Sequence, residues 1–187
     1  MTNVYELPKD LPVPVDDGGA AHLLGLQLPN IQLKATDGSV LNLSEIAGKL
    51  VLYCYPMTGR PNVALPEGWD QIPGARGCTP QSCSFRDHYQ EIKALGAEVM
   101  GLSVQDVAYQ MEMAARLHLP FNILSDSNHE FQKALKLPTF NVAGMTFLKR
   151  VTLIFDGGCV RAVHYPIFPI DRDPDWVIDQ LRSFQIN

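Results

Sequence analysis

The sequence predicts an α/β protein with a central mixed β-sheet and helices on both faces. Three observations carry this. Strand-like apolar runs alternate with segments of helical periodicity between residues 31 and 135. Residues 50–55 are apolar almost throughout, as in a strand covered on both sides. The chain then closes on two strand-like runs joined by Asp156-Gly157-Gly158, followed by a last helix.

Taken in order, residues 1–25 mix Pro, Asp, Gly and Ala and read as an irregular arm on a single domain spanning residues 1–187. Residues 31–35 alternate apolar and polar, meet the turn signal Asp37-Gly38, and return at 40–43 as a hairpin. Ser44 is the expected cap of a short helix to Ala47, ended by Gly48. Pro56 stops the central strand, and a Gly- and Pro-rich loop of about twenty residues, 57–77, follows; loops this long are often functional. Leu65, Trp69 and Ile72 indicate that it packs down, with Trp69 either an interface anchor or the centre of a small private core.

Helical spacing of Phe85, Tyr89, Ile92 and Leu95 predicts one helix over 79–95, stopped by Gly96. A strand at 98–104, a helix at 105–117, a short strand at 121–124 and a helix at 128–135 follow. Residues 151–155 and 160–164 form the closing hairpin. Asp173 opens the final helix, with Pro174 at its first position.

Composition excludes several functions. The formal net charge is -5, without the basic patch expected of a nucleic-acid binder. No basic amphipathic run suggests a membrane surface, and no apolar stretch reaches transmembrane length. The N-terminus lacks the pattern of a signal peptide, so the expected location is cytoplasmic. In a reducing compartment, a cysteine pair is more often catalytic, redox-active or metal-binding than structural.

The chemistry concentrates in the stretch Gly77-Cys78-Thr79-Pro80-Gln81-Ser82-Cys83. Thr79-Pro80 reads as a helix opening, placing Cys78 at the helix N-terminus, where free N–H groups and the positive end of the dipole favour a thiolate. Arg76 stands close by in sequence. If Cys78 and Cys83 were both helical, their Cα atoms would lie roughly 8 to 9 Å apart, beyond the reach of about 7 Å for a disulfide. Bonding them would then unwind the first turn; less movement is needed if Cys78 lies just outside the helix. Two cysteines five apart are, alone, as consistent with no chemistry as with redox chemistry. Their spacing does not match the common zinc knuckles, and His88 and His129 read as scattered surface histidines rather than ligands. Cys54 and Cys159 sit in apolar surroundings and read as inert.

Gly77-Cys78-Thr79, Cys83 and Phe85-Arg86-Asp87 together resemble the active-site segment of Q-type peroxiredoxins, the bacterioferritin-comigratory-protein branch of the alkyl hydroperoxide reductase and thiol-specific antioxidant superfamily. Tyr55-Pro56, Ser125-Asp126 and the arginine-led strand from Arg150 to Gly157 are similar as well. The resemblance implies a thioredoxin-like fold and a thiol peroxidase needing no cofactor and no metal. By it, Cys78 is the peroxidatic cysteine, Cys83 resolves its sulfenic acid as an intrachain disulfide, and Arg150 is the active-site arginine. Hydrogen peroxide and alkyl hydroperoxides are the implied substrates, a thioredoxin or similar dithiol is the reductant, and a monomer or weak homodimer suffices. Without the resemblance, Arg150 reads as a surface arginine at a strand start.

One departure stands out. The family pattern places a threonine three residues before the reactive cysteine, where this chain has Ala75. An insertion of about fifteen residues separates Pro56 from Cys78, and Thr58 is the candidate to fold back and supply the hydroxyl; its other reading is a loop threonine without a role. Competing readings of the whole are a non-enzymatic thiol redox sensor and another thiol-disulfide oxidoreductase, the latter expected to show a C-x-x-C pair that this chain lacks.

Overall fold

The structure, a computed structural model, describes residues 10–186; the first part of the expected arm, residues 1–9, lies outside them. The described elements are β1 (Gln32–Ala35), β2 (Val40–Asn42), β3 (Lys49–Cys54), α1 (Cys78–Asp87), α2 (Tyr89–Ala94), β4 (Ala97–Ser103), α3 (Val107–Leu117) and β5 (Ile123–Ser125), followed by α4 (Glu130–Leu135), β6 (Thr139–Val142), β7 (Met145–Leu148), β8 (Val151–Asp156), β9 (Cys159–His164) and α5 (Asp173–Ile186). Seven strands form one mixed sheet in the order β2-β1-β5-β4-β3-β8-β9, parallel across β5-β4-β3 and antiparallel elsewhere. The α/β class and the closing hairpin are as the sequence indicates.

The apolar run of β3 explains its central place, because its side chains alternate between two cores. Leu50, Leu52 and Cys54 face a cluster with Phe131 and Leu135 of α4, with Ala20 and Leu23 of the arm, and with Leu28. Val51 and Tyr53 face the opposite cluster, with Phe85, Ile92, Met113, Leu117, Val177 and Leu181. Tyr53 ties α1 to the sheet. Its ring stacks on Phe85 with centroids 4.5 Å apart, and its hydroxyl donates to Ser82 Oγ at 3.1 Å. That packing requires Gly101 on β4, where an added Cβ would come within 2.6 Å of Ile123 and 2.7 Å of the Tyr53 ring.

Three local expectations need correction. The cap before the short turn at Leu43–Glu45 is Asn42, whose side chain accepts from the Ser44 N–H at 3.1 Å, and the turn is 3₁₀. The helix expected over 79–95 is two helices, because His88 leaves helical geometry (φ -96°, ψ 2°) with its ring Nδ1 2.8 Å from the Ser84 carbonyl. The β6–β7 hairpin was not foreseen; it stands outside the main sheet. Its Phe140 and Phe147 pack on Trp69 of the long loop, with centroids 5.8 and 5.1 Å away. Trp69 is therefore the plug of a private core that includes Met57, Leu65 and Ile72.

Gly101→Ala is expected to cost about 1–3 kcal/mol by overpacking against Tyr53 and Ile123. A lowered urea midpoint at unchanged slope would register it.

Candidate active site

Helix α1 begins at Cys78 itself, not after Thr79. Gly77 precedes it at φ 103°, a left-handed conformation that favours glycine, and the Gln81 N–H closes the first turn on the Gly77 carbonyl at 3.0 Å. Thr79 and Pro80 lie inside that turn, where a missing N–H matters little because the first four are unpaired in any helix. Both Cys78 and Cys83 thus share one helix, the arrangement in which their Cα atoms stand roughly 8 to 9 Å apart.

Cys78 is 2% exposed, and its Sγ lies 3.6 Å from the Ala75 carbonyl and 3.2 Å from Arg150 Nη2. Arg150 stands at the head of β8 and is 3% exposed, so the surface reading of this residue does not hold. Nη2 also donates to the carbonyls of Gly74 and Arg76, each at 3.2 Å, while Nη1 donates to Gln81 Oε1. These contacts are carbonyls, a carboxamide and a sulfur, with no carboxylate in the set. A buried cation ordinarily needs an anion beside it, and the group placed to become one is the Cys78 sulfur. Arg76, near in sequence, points instead to Asp70 at 3.2 Å while lining the same pocket.

A buried polar chain runs from Arg150 to the neighbouring edge strand β9. Gln81 Nε2 donates to Asp173 Oδ2 at 2.7 Å, which fixes the amide with its oxygen toward Arg150. The same Asp173 oxygen accepts from the Thr152 hydroxyl at 2.7 Å, and Oδ1 lies 2.7 Å from His164 Nδ1. His164 in turn stacks on Trp176 with centroids 4.5 Å apart. The sequence reading missed Gln81, Asp173 and His164. Gln81 had a signal, since three residues after Cys78 is a same-face helical spacing; the other two come from distant elements.

The remaining residues fall on either side of the sulfur. Cys83 is half-buried against the core cluster that includes Phe85 and Ile92, and burial pushes its thiol up, against a smaller opposing pull from Arg86. Thr58 is not brought to Cys78: it is fully buried, and its hydroxyl donates to Gln105 Oε1 at 3.2 Å. The pocket over the sulfur is walled by Met57, Gly59, Leu65, Trp69, Arg76 and Gly77, with Thr79 as its threonine. Cys54 is fully buried, and burial pushes its thiol up, consistent with an inert residue; Cys159 is part-buried, with its Sγ 3.6 Å from the Gly25 carbonyl. Asp126 caps α4, accepting from the N–H groups of Phe131 at 3.0 Å and Gln132 at 2.8 Å.

The site is thus a buried sulfur on a guanidinium, at the start of a helix packed on a mixed sheet. Residues 23–177 match the Redoxin family model. Peroxiredoxin Q, chloroplastic, of Populus jackii is 34% identical over 157 residues, covering 83% of this chain and 66% of that protein. The protein of the same name from Triticum aestivum is 39% identical over 112 residues, covering 59% of this chain and 45% of that one. The chain thus spans between about half and two thirds of the length of these relatives. Among solved structures, peroxidoxin BcpB from Mycobacterium tuberculosis superposes with a TM-score of 0.70 at 24% identity, covering 86% of this chain and 96% of that one. The fold is the thioredoxin-like fold of those structures. The chain belongs to the redoxin family and, within it, to the Q-type peroxiredoxins.

Asp173→Ala leaves Gln81, Thr152 and His164 without their shared acceptor and is expected to cost about 3–5 kcal/mol. Asp175→Ala, in the same turn but on an exposed pair with Arg172, is expected to cost at most about 1 kcal/mol. Equal losses in chemical denaturation would contradict the buried chain.

Proposed function

We propose that the protein is a thiol peroxidase in which Cys78 reacts and Cys83 resolves. The observation that carries this is Arg150 Nη2 on Cys78 Sγ at 3.2 Å, inside a buried set of contacts that lacks a carboxylate. The Cys78 thiolate attacks one peroxide oxygen. The S–O bond forms, the O–O bond breaks, and sulfur is oxidised to the sulfenic acid. The departing oxygen leaves as hydroxide or alkoxide and takes a proton from water. Arg150 and the free N–H groups at the start of α1 face the developing charge. Thr58 retains no part in this sequence, because its hydroxyl is held by Gln105.

The Cys83 thiolate then attacks the sulfenic sulfur; the S–S bond forms, the S–O bond breaks, and the hydroxide released takes up a proton to become water. For the sulfurs to meet, the first turn of α1 must open. Opening it breaks the bond from the Gln81 N–H to the Gly77 carbonyl that closes the turn. A thioredoxin-like dithiol reduces the disulfide and becomes oxidised in turn. Resolution within one chain requires no second subunit. A dithiol-recycled pair suits a reducing compartment such as the cytoplasm; the name chloroplastic belongs to the relatives.

Peroxide-treated protein is expected to yield a Cys78–Cys83 bond on mass spectrometry of its digest. Cys83→Ser is expected to stop at a sulfenic or over-oxidised Cys78, and Cys78→Ser to lose at least about a thousandfold in peroxide consumption. Sustained turnover with a dithiol donor marks a peroxidase; oxidation without turnover marks a sensor.

Because burial raises Cys83, its attacking anion is a minor species near neutrality, growing about tenfold per pH unit below its pKa. The single-turnover rate of disulfide formation, followed by stopped-flow fluorescence, is therefore expected to rise between about pH 7 and about pH 9. A flat or falling profile would remove Cys83 from the attacking role.

A further inference from the structure

We infer that the insertion at residues 57–77 makes this site selective for hydrogen peroxide over bulky organic hydroperoxides. The inference rests on the peroxidase reading above and names its substrate class. The pocket over Cys78 has a volume of about 20 Å³. A single water needs about 10–15 Å³ on the same measure, so the space admits a molecule only a little larger than water. Hydrogen peroxide is of that size, and a tert-butyl or cumyl group is not. A larger cavity of about 380 Å³ touches Arg150 and Gly74, but Cys78 is not among its walls.

The walls that close the pocket come from the insertion and are pinned along its length. Thr58 is held to Gln105 through its N–H at 3.0 Å and its hydroxyl at 3.2 Å. The Gly59 carbonyl accepts from Arg116 at 3.3 Å, and Arg60 lies 4.0 Å over the Tyr109 ring. Trp69 is buried against Phe140 and Phe147, and Asp70 holds Arg76 at 3.2 Å. A loop fixed at so many points acts as a wall rather than a lid, because opening it exposes the Trp69 core to water. Leu65 and Met57 are the side chains of that wall that reach both the pocket and the Trp69 core.

The test is the second-order rate of Cys78 thiol loss with hydrogen peroxide, tert-butyl hydroperoxide and cumene hydroperoxide. Each rate is divided by that of the same peroxide with free dithiothreitol. The normalised rates are expected to fall in that order, with at least about 100-fold between the ends of the series. Leu65→Ala and Met57→Ala enlarge the pocket and are expected to shrink that span by about tenfold or more. Cumene hydroperoxide within about threefold of hydrogen peroxide in the unaltered protein would overturn the inference. So would a span unchanged in both variants when their folded state is intact by circular dichroism. Thiol loss with none of the peroxides would instead overturn the peroxidase reading on which the inference stands.

Discussion

The site is organised around a positive charge held below the surface. Arg150 is almost fully buried, and its neighbours are the carbonyls of Gly74 and Arg76, the Gln81 carboxamide and the Cys78 sulfur. Carbonyl dipoles partly replace lost hydration, but a guanidinium out of water is best satisfied by an anion. Among these neighbours the Cys78 sulfur, 3.2 Å from Nη2, is the one with a proton to lose.

Much of the fold serves that one contact. Strand β8 runs antiparallel to β3, bringing the head of β8 beside the end of β3, where Cys54 pairs with Val151. The Tyr53–Phe85 stack holds α1 against the same region. The insertion ends at Gly74 and Arg76, whose carbonyls face Arg150, so its register is locked by the guanidinium it helps to bury. The arrangement contains a conflict. Attack on a peroxide favours a fixed first turn, whereas bonding to Cys83 requires that turn to open. Anchors on Phe85 and Ser82 lie C-terminal to the segment that has to move. The helix can therefore stay docked while its first turn gives way.

What the sequence disclosed followed the strength of local signals. The apolar run of β3, the Gly158 turn before β9 and Pro174 at the start of α5 are local patterns that the structure repeats. The break at His88 was hidden because Phe85, Tyr89 and Ile92 keep their helical spacing across it; the change lies in one residue's backbone angles. The β6–β7 hairpin has the turn Ala143-Gly144 without a strong hairpin dipeptide, and its apolar faces acquire meaning only against Trp69. The two cysteines could be read from the chain, but the contact that makes one of them special spans 72 residues and joins a helix start to a strand start. Family likeness pointed to Arg150; local pattern did not. Thr58 was chosen for its position in the loop, and its hydroxyl went instead to Gln105, a residue 47 positions away that no local rule connects to it.

The amide at position 81 shows how the charge balance is kept. A carboxylate there would bond Arg150 as well as the amide does, yet it would neutralise the guanidinium and weaken its hold on the sulfur. Gln81 carries no charge, but a free amide is ambiguous, since either end can face the arginine. Asp173 removes the ambiguity: its Oδ2 accepts from the Gln81 N–H and leaves only the oxygen for Arg150. The same Oδ2 accepts from the Thr152 hydroxyl, and Oδ1 lies 2.7 Å from His164 Nδ1. The carboxylate that orients the site is thus kept one residue away from the guanidinium, and the positive charge beside Cys78 is left for the sulfur.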